Sequence, residues 1–224
     1  MSLPRSLDRI VDHQIGRWHL EARRPSPRPR RPCIALSALP GAGADELGQR
    51  LAEHLGYAFF SIEIVDHIAR KAGVQRELVE GMDERVRGSL AAILDGLTGR
   101  NLRFSESDYV SRLVRVITAL GEGGSAVIVG RGSPYILGPD RALRALVVAP
   151  RQERTERLAK LHELPLAEAA SRLEREEDAR RQFVARSFHV DPDDAGLYDL
   201  AVNTATLGIG GAAELLVEAL RRRA

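Results

Sequence analysis

One short segment constrains the fold of this chain more than any other. Residues 33–37, Cys-Ile-Ala-Leu-Ser, form an apolar run of strand length, and residues 38–45, Ala-Leu-Pro-Gly-Ala-Gly-Ala-Asp, form a turn that contains glycine. Leucines then recur at helical spacing from Asp45 to Leu55. A strand, a glycine turn and a helix in this order present backbone N–H groups and a helix N-terminus to phosphate oxygens. We therefore expect phosphates to bind at Gly41, Ala42, Gly43, Ala44 and Asp45.

This turn departs from a standard Walker A loop in its charged residues. Ala38 stands at the first glycine position, and Ala44 and Asp45 stand where lysine and serine or threonine belong. A carboxylate at a helix N-terminus occupies the place that favours an anion, so Asp45 either repels phosphates or caps the helix itself. A Mg²⁺ ion that bridges Asp45 to the phosphates would reverse the sign of this interaction. The sequence leaves these alternatives open.

Strands and helices alternate along the rest of the chain. Apolar runs of strand length occur at residues 33–37, 58–61, 126–130, 143–149 and 198–203. Helical spacing of apolar residues fills the intervals at 62–71, 76–97 and 107–120. The pattern predicts an α/β fold with a doubly wound, five-stranded parallel sheet. Ligands of such sheets bind at the carboxyl ends of the strands, which here include residues 37–45 and 130–132.

The first 32 residues differ in composition from the rest of the chain. They contain eight arginines against three acidic residues, whereas the whole chain has a formal charge of +2. Apolar residues at helical spacing predict an amphipathic helix within residues 7–24, and the proline- and arginine-rich residues 25–32 predict a linker. We expect this helix to pack on the main domain, residues 33–224, or on a second copy of the chain in a homodimer.

Composition disfavours several classes of protein. No apolar run approaches the ~20 residues of a membrane span, and the N-terminus lacks the apolar region of a signal peptide, so we expect a cytoplasmic protein without a membrane partner. The basic arm has no aromatic residue beyond Trp18, which disfavours a nucleic-acid partner. Cys33, the single cysteine, lies in an apolar strand and is predicted to be a buried small side chain.

Residues 151–190 are highly charged and have helical spacing. Arginines recur through this segment beside the acidic run at residues 174–178. Most of them are expected to form exposed ion pairs, each of which contributes ~0 to 1 kcal/mol. The same composition also suits a mobile lid that brings arginines onto transferred phosphates. Composition alone does not separate the two interpretations.

Four segments of the chain, taken in order, carry a family resemblance. They are residues 37–51 with Gly-Ala-Gly and Glu-Leu-Gly, residues 127–137 with Val-Ile-Val-Gly-Arg-Gly, residues 178–188 with Asp-Ala-Arg-Arg and a later Arg and Phe, and residues 191–208 with Asp-Pro, Tyr-Asp-Leu and Asn-Thr. Each motif is short, but the four follow the same order as in the cytidylate kinase-like proteins, a branch of the P-loop nucleoside monophosphate kinases. The chain resembles this family from about residue 33 to its end.

The resemblance implies an activity and roles for particular residues. It implies a phosphotransferase that moves the γ-phosphoryl group of ATP, with Mg²⁺, to a pyrimidine nucleoside monophosphate such as CMP. Arg131, Gly132 and Ser61 would bind this acceptor, with Ser61 in place of an aspartate that is usual in the family. Arg181, with Arg180 or Arg186, would neutralise the transferred group, and Asp178 would orient these guanidiniums.

Two other functions are compatible with the same residues. The changes at Ala44 and Asp45 allow a catalytically impaired homologue that acts as a nucleotide-binding or protein-interaction module. A kinase of the same fold that acts on a small metabolite would differ only in its acceptor pocket.

Overall fold

In the computed structural model, strands and helices alternate along residues 31–70 and 106–223, the part of the chain that the structure describes. The strands are β1 (Cys33–Ala38), β2 (Ala58–Phe60), β3 (Ala126–Val129), β4 (Ala142–Val148) and β5 (Leu200–Asn203). The helices are α1 (Ala44–Leu55), α2 (Ile62–Arg70), α3 (Glu106–Gly123), α4 (Ser133–Arg141), α5 (Arg151–His162), α6 (Leu166–Phe188) and α7 (Thr204–Arg223). The helices predicted at 7–24 and 76–97 lie outside the described residues. Among the described helices, none is long and apolar enough to cross a membrane.

The strands form one parallel sheet in the order β2-β3-β1-β4-β5. This confirms the predicted five-stranded parallel sheet. In the middle strand, Ile34 lies opposite Val127 of β3 and Leu143 of β4. The chain leaves β1 towards β2 and β3 on one side and continues to β4 and β5 on the other. The carboxyl end of β1 therefore lies where the strand order reverses, which is the usual position of a ligand in such sheets.

Alternate residues of β1 contribute to two core layers, one on each face of the sheet. Cys33 and Ala35 belong to the layer beneath α3, and Ile34 and Leu36 belong to the layer beneath α1 and α7. All four side chains are fully buried, which is why β1 reads as a continuous apolar run. The predicted burial of Cys33 is confirmed, and this burial raises the pKa of its thiol to about 11.

Helices α5 and α6 pack on each other through a small apolar cluster of Leu158, Ala169 and Leu173. Arg154 of α5 ties this pair to the loop that follows β1. Its Nε donates to the Ala149 carbonyl at 2.9 Å, its Nη1 donates to the Pro40 carbonyl at 3.3 Å, and it forms an ion pair with Glu177 of α6. Because Arg154 is only 6% exposed, it is an exception to the exposed ion pairs predicted for this segment.

Candidate active site

The loop after β1 makes a tight turn that ends at the first residue of α1. The Ala42 amide donates to the Leu39 carbonyl at 3.0 Å, and the Thr204 hydroxyl of α7 donates to the Ala42 carbonyl at 2.7 Å. Gly43 precedes α1 as its N-cap, and no side chain caps this helix. Asp45 is therefore not the cap. The first amides of a helix have no intrahelical carbonyl partner, so those at the start of α1 remain available to an anion.

Two glycines let this loop approach α5 closely. Gly41 and Gly43 have positive φ angles of 76° and 81°, a conformation that strains other residues. A Cβ on Gly41 would lie 2.6 Å from the Arg154 carbonyl oxygen, and a Cβ on Gly43 would lie 2.5 Å from Nη1 of Arg157. The same Nη1 donates to the Gly41 carbonyl at 3.2 Å. A guanidinium from α5 thus lies against a loop whose own sequence lacks the Walker lysine.

Asp45 and Glu63 place two carboxylates near each other beside this loop. Asp45 reaches solvent, but the surrounding protein removes much of the water around its carboxylate, and Glu63 of α2 adds negative charge. Together these effects raise the pKa of Asp45 to about 6. Ser61, a buried residue just ahead of α2, donates its hydroxyl hydrogen to Oε2 of Glu63 at 2.8 Å. Ser61 therefore contacts one of the two carboxylates beside the loop, that of Glu63.

Arg131 follows β3 and is held by a carboxylate from α2. Its Nε and Nη2 donate to the two carboxylate oxygens of Asp66, each at 2.6 Å. The Tyr109 hydroxyl of α3 donates to the same carboxylate, and the Arg131 guanidinium lies 5.7 Å from the ring centre of Phe183. Burial lowers the pKa of Arg131, but the bonds to Asp66 outweigh it and the net pKa is raised. With its side chain 30% exposed, Arg131 keeps a fixed orientation while part of its surface faces solvent.

Gly132 packs closely against the end of α6. Its φ angle is 76°, and a Cβ at this position would lie 2.3 Å from the ring of Phe188. A side chain on residue 132 would therefore displace the aromatic ring that packs there. Gly132 keeps α6 close to the turn that carries Arg131.

Arg180 and Arg181 differ in where their side chains lie. Arg180 donates from Nη2 to the Ser37 hydroxyl oxygen at 3.2 Å, at the carboxyl end of β1, and its side chain is 13% exposed. Arg181 is 48% exposed and contacts Asp178 at 3.4 Å. Asp193 accepts hydrogen bonds from both arginines, at 2.7 Å from Arg180 and 3.1 Å from Arg181. Burial raises the pKa of Asp193, but these two bonds outweigh it and lower the net pKa.

A series of aromatic contacts runs from Phe183, which lies beside Arg131, to Tyr198, which shares a hydrogen-bond acceptor with Arg180. The ring of Phe188 lies 5.9 Å from that of Phe183 and 5.6 Å from that of Tyr135. The Tyr135 and Tyr198 hydroxyls are 2.5 Å apart, and the Tyr198 hydroxyl donates to the Pro192 carbonyl, which also accepts from Arg180. Burial and the bond to Tyr198 raise the pKa of Tyr135, so its hydroxyl stays protonated.

The structure brings most of the predicted residues to one edge of the sheet. Residues 41–45, Arg131, Gly132, Ser61 and Arg180 lie at or beside the carboxyl ends of β1, β2 and β3, whereas Arg181 and Asp178 lie on the solvent side of α6. Sequence reasoning missed Asp66, Tyr109, Tyr135 and Asp193. Asp193 directly follows the Asp-Pro motif at residues 191–192, which was a usable signal. Nothing in the local sequence marks Asp66 as the partner of a residue 65 positions away.

The fold and the site together define a class of protein. A parallel sheet with a glycine loop between its middle strand and α1, and with arginines from later helices at the same edge, is the P-loop fold of the nucleoside monophosphate kinase type. The sequence profile of the "Cytidylate kinase-like family" matches residues 33–206. The chain belongs to this family, which confirms the resemblance found in its sequence.

Individual relatives agree with this membership. The chain is 29% identical to a cytidylate kinase from Aeropyrum pernix over 84% of this chain and 98% of that protein. It is 28% identical to a cytidylate kinase from Methanopyrus kandleri over 77% of this chain and 84% of that protein.

Solved structures share the fold at lower sequence identity. An uncharacterized protein from Eubacterium ventriosum superposes with a TM-score of 0.65 at 16% identity, over 85% of this chain and 99% of that one. A gluconokinase from Sinorhizobium meliloti 1021 superposes with a TM-score of 0.50 at 16% identity, over 88% and 95% of the two chains.

Proposed function

We propose that this protein is a nucleoside monophosphate kinase that transfers the γ-phosphoryl group of ATP to a pyrimidine monophosphate, with CMP as the preferred acceptor. The observation that carries the proposal is the contact of Arg180 with Ser37 at the end of β1, the strand that leads into the glycine loop and pairs with the strand before Arg131. Phosphoryl transfer needs positioning and charge neutralisation more than covalent chemistry from side chains. Family membership and the cytidylate kinase relatives support the choice of acceptor.

The donor phosphates would bind to the loop of residues 41–45. The open amides at the start of α1 and the positive end of its helix dipole favour an anion there. Arg157 lies against the Gly41 carbonyl and adds a positive charge from α5. This guanidinium supplies part of the charge that the absent lysine would provide. In this proposal the main-chain amides of the loop and Arg157 of α5 together take the role that a lysine within the loop would have.

The acceptor monophosphate would bind to Arg131. Asp66 engages two of the five guanidinium N–H groups of Arg131, which leaves donors for a phosphate. Because Asp66 and Phe183 already fix the guanidinium, little side-chain entropy is lost when the acceptor binds. The aromatic rings of Tyr135, Phe183 and Phe188 provide apolar surface beside it for a flat base.

Mg²⁺ is part of the proposed reaction, in which it would neutralise charge on the ATP phosphates. This ion usually binds through one or two carboxylates together with substrate phosphates and water. Asp45 and Glu63 fit this requirement, because the two carboxylates lie close enough that the charge of Glu63 adds to the effect of burial in raising the pKa of Asp45. No group of three or more acidic, histidine or cysteine side chains that could hold a metal occurs among residues 31–70 and 106–223. The phosphates would therefore complete the coordination shell.

The direct test is a phosphoryl-transfer assay with a panel of acceptors. Purified protein is mixed with ATP and Mg²⁺ and with CMP, UMP, AMP, GMP or gluconate in turn, and ADP formation is measured. We expect the highest kcat/KM with CMP and no turnover with gluconate. Preference for gluconate would indicate a small-metabolite kinase. Absence of turnover with every acceptor, together with retained ATP binding in calorimetry, would overturn the proposal in favour of a nucleotide-binding homologue.

Asp45 makes a testable contribution to the pH dependence of ATP binding. Because its pKa is raised to about 6, its carboxylate loses charge as the pH falls from 7 to 5. We expect Mg·ATP affinity to fall over this interval in the wild type, and Asp45→Asn to bind Mg·ATP about tenfold more weakly at pH 7.5 with little pH dependence. Calorimetry across the pH range measures both effects. Glu46→Gln removes the neighbouring exposed carboxylate and serves as the matched control.

The stability of the ligand-free protein should rise as the pH falls from 7 to 5, whereas its affinity for Mg·ATP should fall. The folded state binds the Asp45 proton more tightly than the unfolded state, whose pKa is near 3.8, so ionisation of Asp45 costs stability as the pH rises from about 4 to above 6. Asp45→Asn should therefore raise the unfolding midpoint of the ligand-free protein at pH 7.5.

Tighter binding of Mg·ATP by Asp45→Asn would contradict the predicted loss of affinity. It would show that the carboxylate only repels phosphate and does not hold the metal.

A further inference from the structure

A cavity of about 390 Å³ lies at the edge of the sheet opposite the glycine loop. It is lined by residues just before β1, at the carboxyl ends of α1 and α7, and just before β2; those used below are Arg31, His54, Leu55, Tyr57, Leu220 and Arg221. Its volume falls within the range of small-molecule sites. Because α1 and α7 both run from the loop to this cavity, the two sites are separated by the length of these helices.

The lining of the cavity is basic. Arg31 and Arg221 contribute guanidiniums and His54 contributes an imidazole, and no acidic residue lines the cavity within the described part of the chain. Basic residues at the carboxyl ends of helices also complement the helix dipole, which accounts for His54 and Arg221. Arg31 belongs to no helix, so the dipole does not account for it. Two separate parts of the fold, the segment before β1 and the end of α7, therefore bring guanidiniums to one small cavity.

Tyr57 adds an unsatisfied polar group to the same wall. The residue is only 7% exposed, and among the described residues its buried hydroxyl has no hydrogen-bond partner. Burial raises the pKa of Tyr57, while the nearby charge of Arg31 acts in the opposite direction. A buried hydroxyl without a partner reduces stability, and replacement by phenylalanine would remove that cost. A hydrogen bond to a ligand would satisfy this hydroxyl and offset the cost of its burial.

We propose that this cavity is a second anion site that binds a small organic phosphate. The guanidiniums of Arg31 and Arg221 hold the phosphate oxygens, a contact for which arginine is suited by its forked donors. Leu55 and Leu220 contact the apolar part of the ligand. The Tyr57 hydroxyl, which is covered by protein in the ligand-free structure, donates a hydrogen bond to the ligand after a small rearrangement of the cavity wall. Neither the donor nor the acceptor of the proposed kinase reaction occupies this position, because both bind at the other edge of the sheet.

Calorimetric titration of the full-length protein with phenyl phosphate and with inorganic phosphate tests the site. We expect saturable binding of phenyl phosphate, weaker binding of inorganic phosphate, and a loss of about tenfold or more in phenyl phosphate affinity in Arg31→Ala and in Arg221→Ala. Arg222→Ala is the matched control, since Arg222 is exposed and pairs with Glu218 as the neighbouring Arg221 does, but it is not among the residues that line the cavity. Unchanged binding in Arg31→Ala and Arg221→Ala would overturn the proposal.

Two further variants separate this site from the kinase site and from a loss of folding. Arg180→Ala should leave the phenyl phosphate affinity unchanged; if it alone abolishes binding, the probe occupies the kinase site and the proposal is wrong. Tyr57→Phe should weaken phenyl phosphate binding several-fold and raise the unfolding midpoint of the ligand-free protein by about 2–4 °C. A lower midpoint with unchanged affinity would show that the Tyr57 hydroxyl serves the fold rather than a ligand.

Discussion

Replacement of Arg180 by alanine is expected to lower kcat for ATP and CMP about a thousandfold, the scale of arginines that stabilise phosphoryl transfer. The guanidinium is 13% exposed and lies within hydrogen-bond distance of Ser37 at the end of β1. A charge that is partly shielded from water acts more strongly on a developing phosphate charge than an exposed one. Steady-state assays that vary ATP and CMP separately measure the effect, and we expect it in kcat rather than in either KM.

Two variants of the same helix show whether this effect is specific. Arg172→Ala removes an arginine of α6 that pairs with Glu176 four residues later, and it should leave kcat unchanged. Arg181→Ala should lower kcat by at least about tenfold but less than Arg180→Ala, because the Arg181 side chain is 48% exposed and its field is screened. A larger loss in Arg181→Ala than in Arg180→Ala would mean that α6 rotates or shifts when nucleotides bind.

Replacement of Arg131 by alanine is expected to raise the KM for CMP about a hundredfold, which corresponds to about 2.7 kcal/mol of lost binding, within the range for a charge-assisted pair. The KM for ATP should change little, since the proposed site of the donor is the loop of residues 41–45. Arg131→Lys should recover only part of the loss, because an ammonium cannot form the two-pronged contact with Asp66. Initial rates with each substrate varied in turn measure these constants.

Controls distinguish acceptor binding from a general loss of structure. Arg141→Ala, on the exposed end of α4, removes an arginine that pairs with Glu122 and should leave both KM values unchanged. Asp66→Asn keeps the shape of the side chain but removes its charge, so it should misplace the Arg131 guanidinium and raise the KM for CMP by a smaller factor. Equal increases in the KM for ATP and for CMP in Arg131→Ala would contradict the assignment of Arg131 to the acceptor.

The order of the strands and helices was predictable because each element has a local signature. The apolar run at residues 33–37 reads as a strand buried on both faces, and it is fully buried at Cys33, Ile34, Ala35 and Leu36. The glycine turn before α1 was predictable for the same reason, since Gly41 and Gly43 mark positions with positive φ. The observed strand ends differ from the predicted ones by one or two residues, which is the usual uncertainty at element boundaries.

The roles of the arginines on α6 were harder to predict. Arg180 and Arg181 are adjacent in sequence and identical in chemistry, and the sequence analysis gave the leading role to Arg181. Residues next to each other on a helix point about 100° apart, so only the position of α6 relative to the end of β1 decides which one faces the site. In the structure Arg180 reaches Ser37 and Arg181 faces solvent.

By itself the sequence determined the parallel sheet, the glycine loop and the family, because strand periodicity, turn residues and ordered motifs are properties of neighbouring residues. Only the tertiary structure decided that Asp66 and Tyr109 hold Arg131, that Arg157 lies against the loop, and that burial and the charge of Glu63 raise the pKa of Asp45. These contacts join side chains from separate elements, and their geometry depends on how the helices pack on the sheet. Electrostatic effects fall off steeply with distance and exposure, so they become visible only once the packing is known.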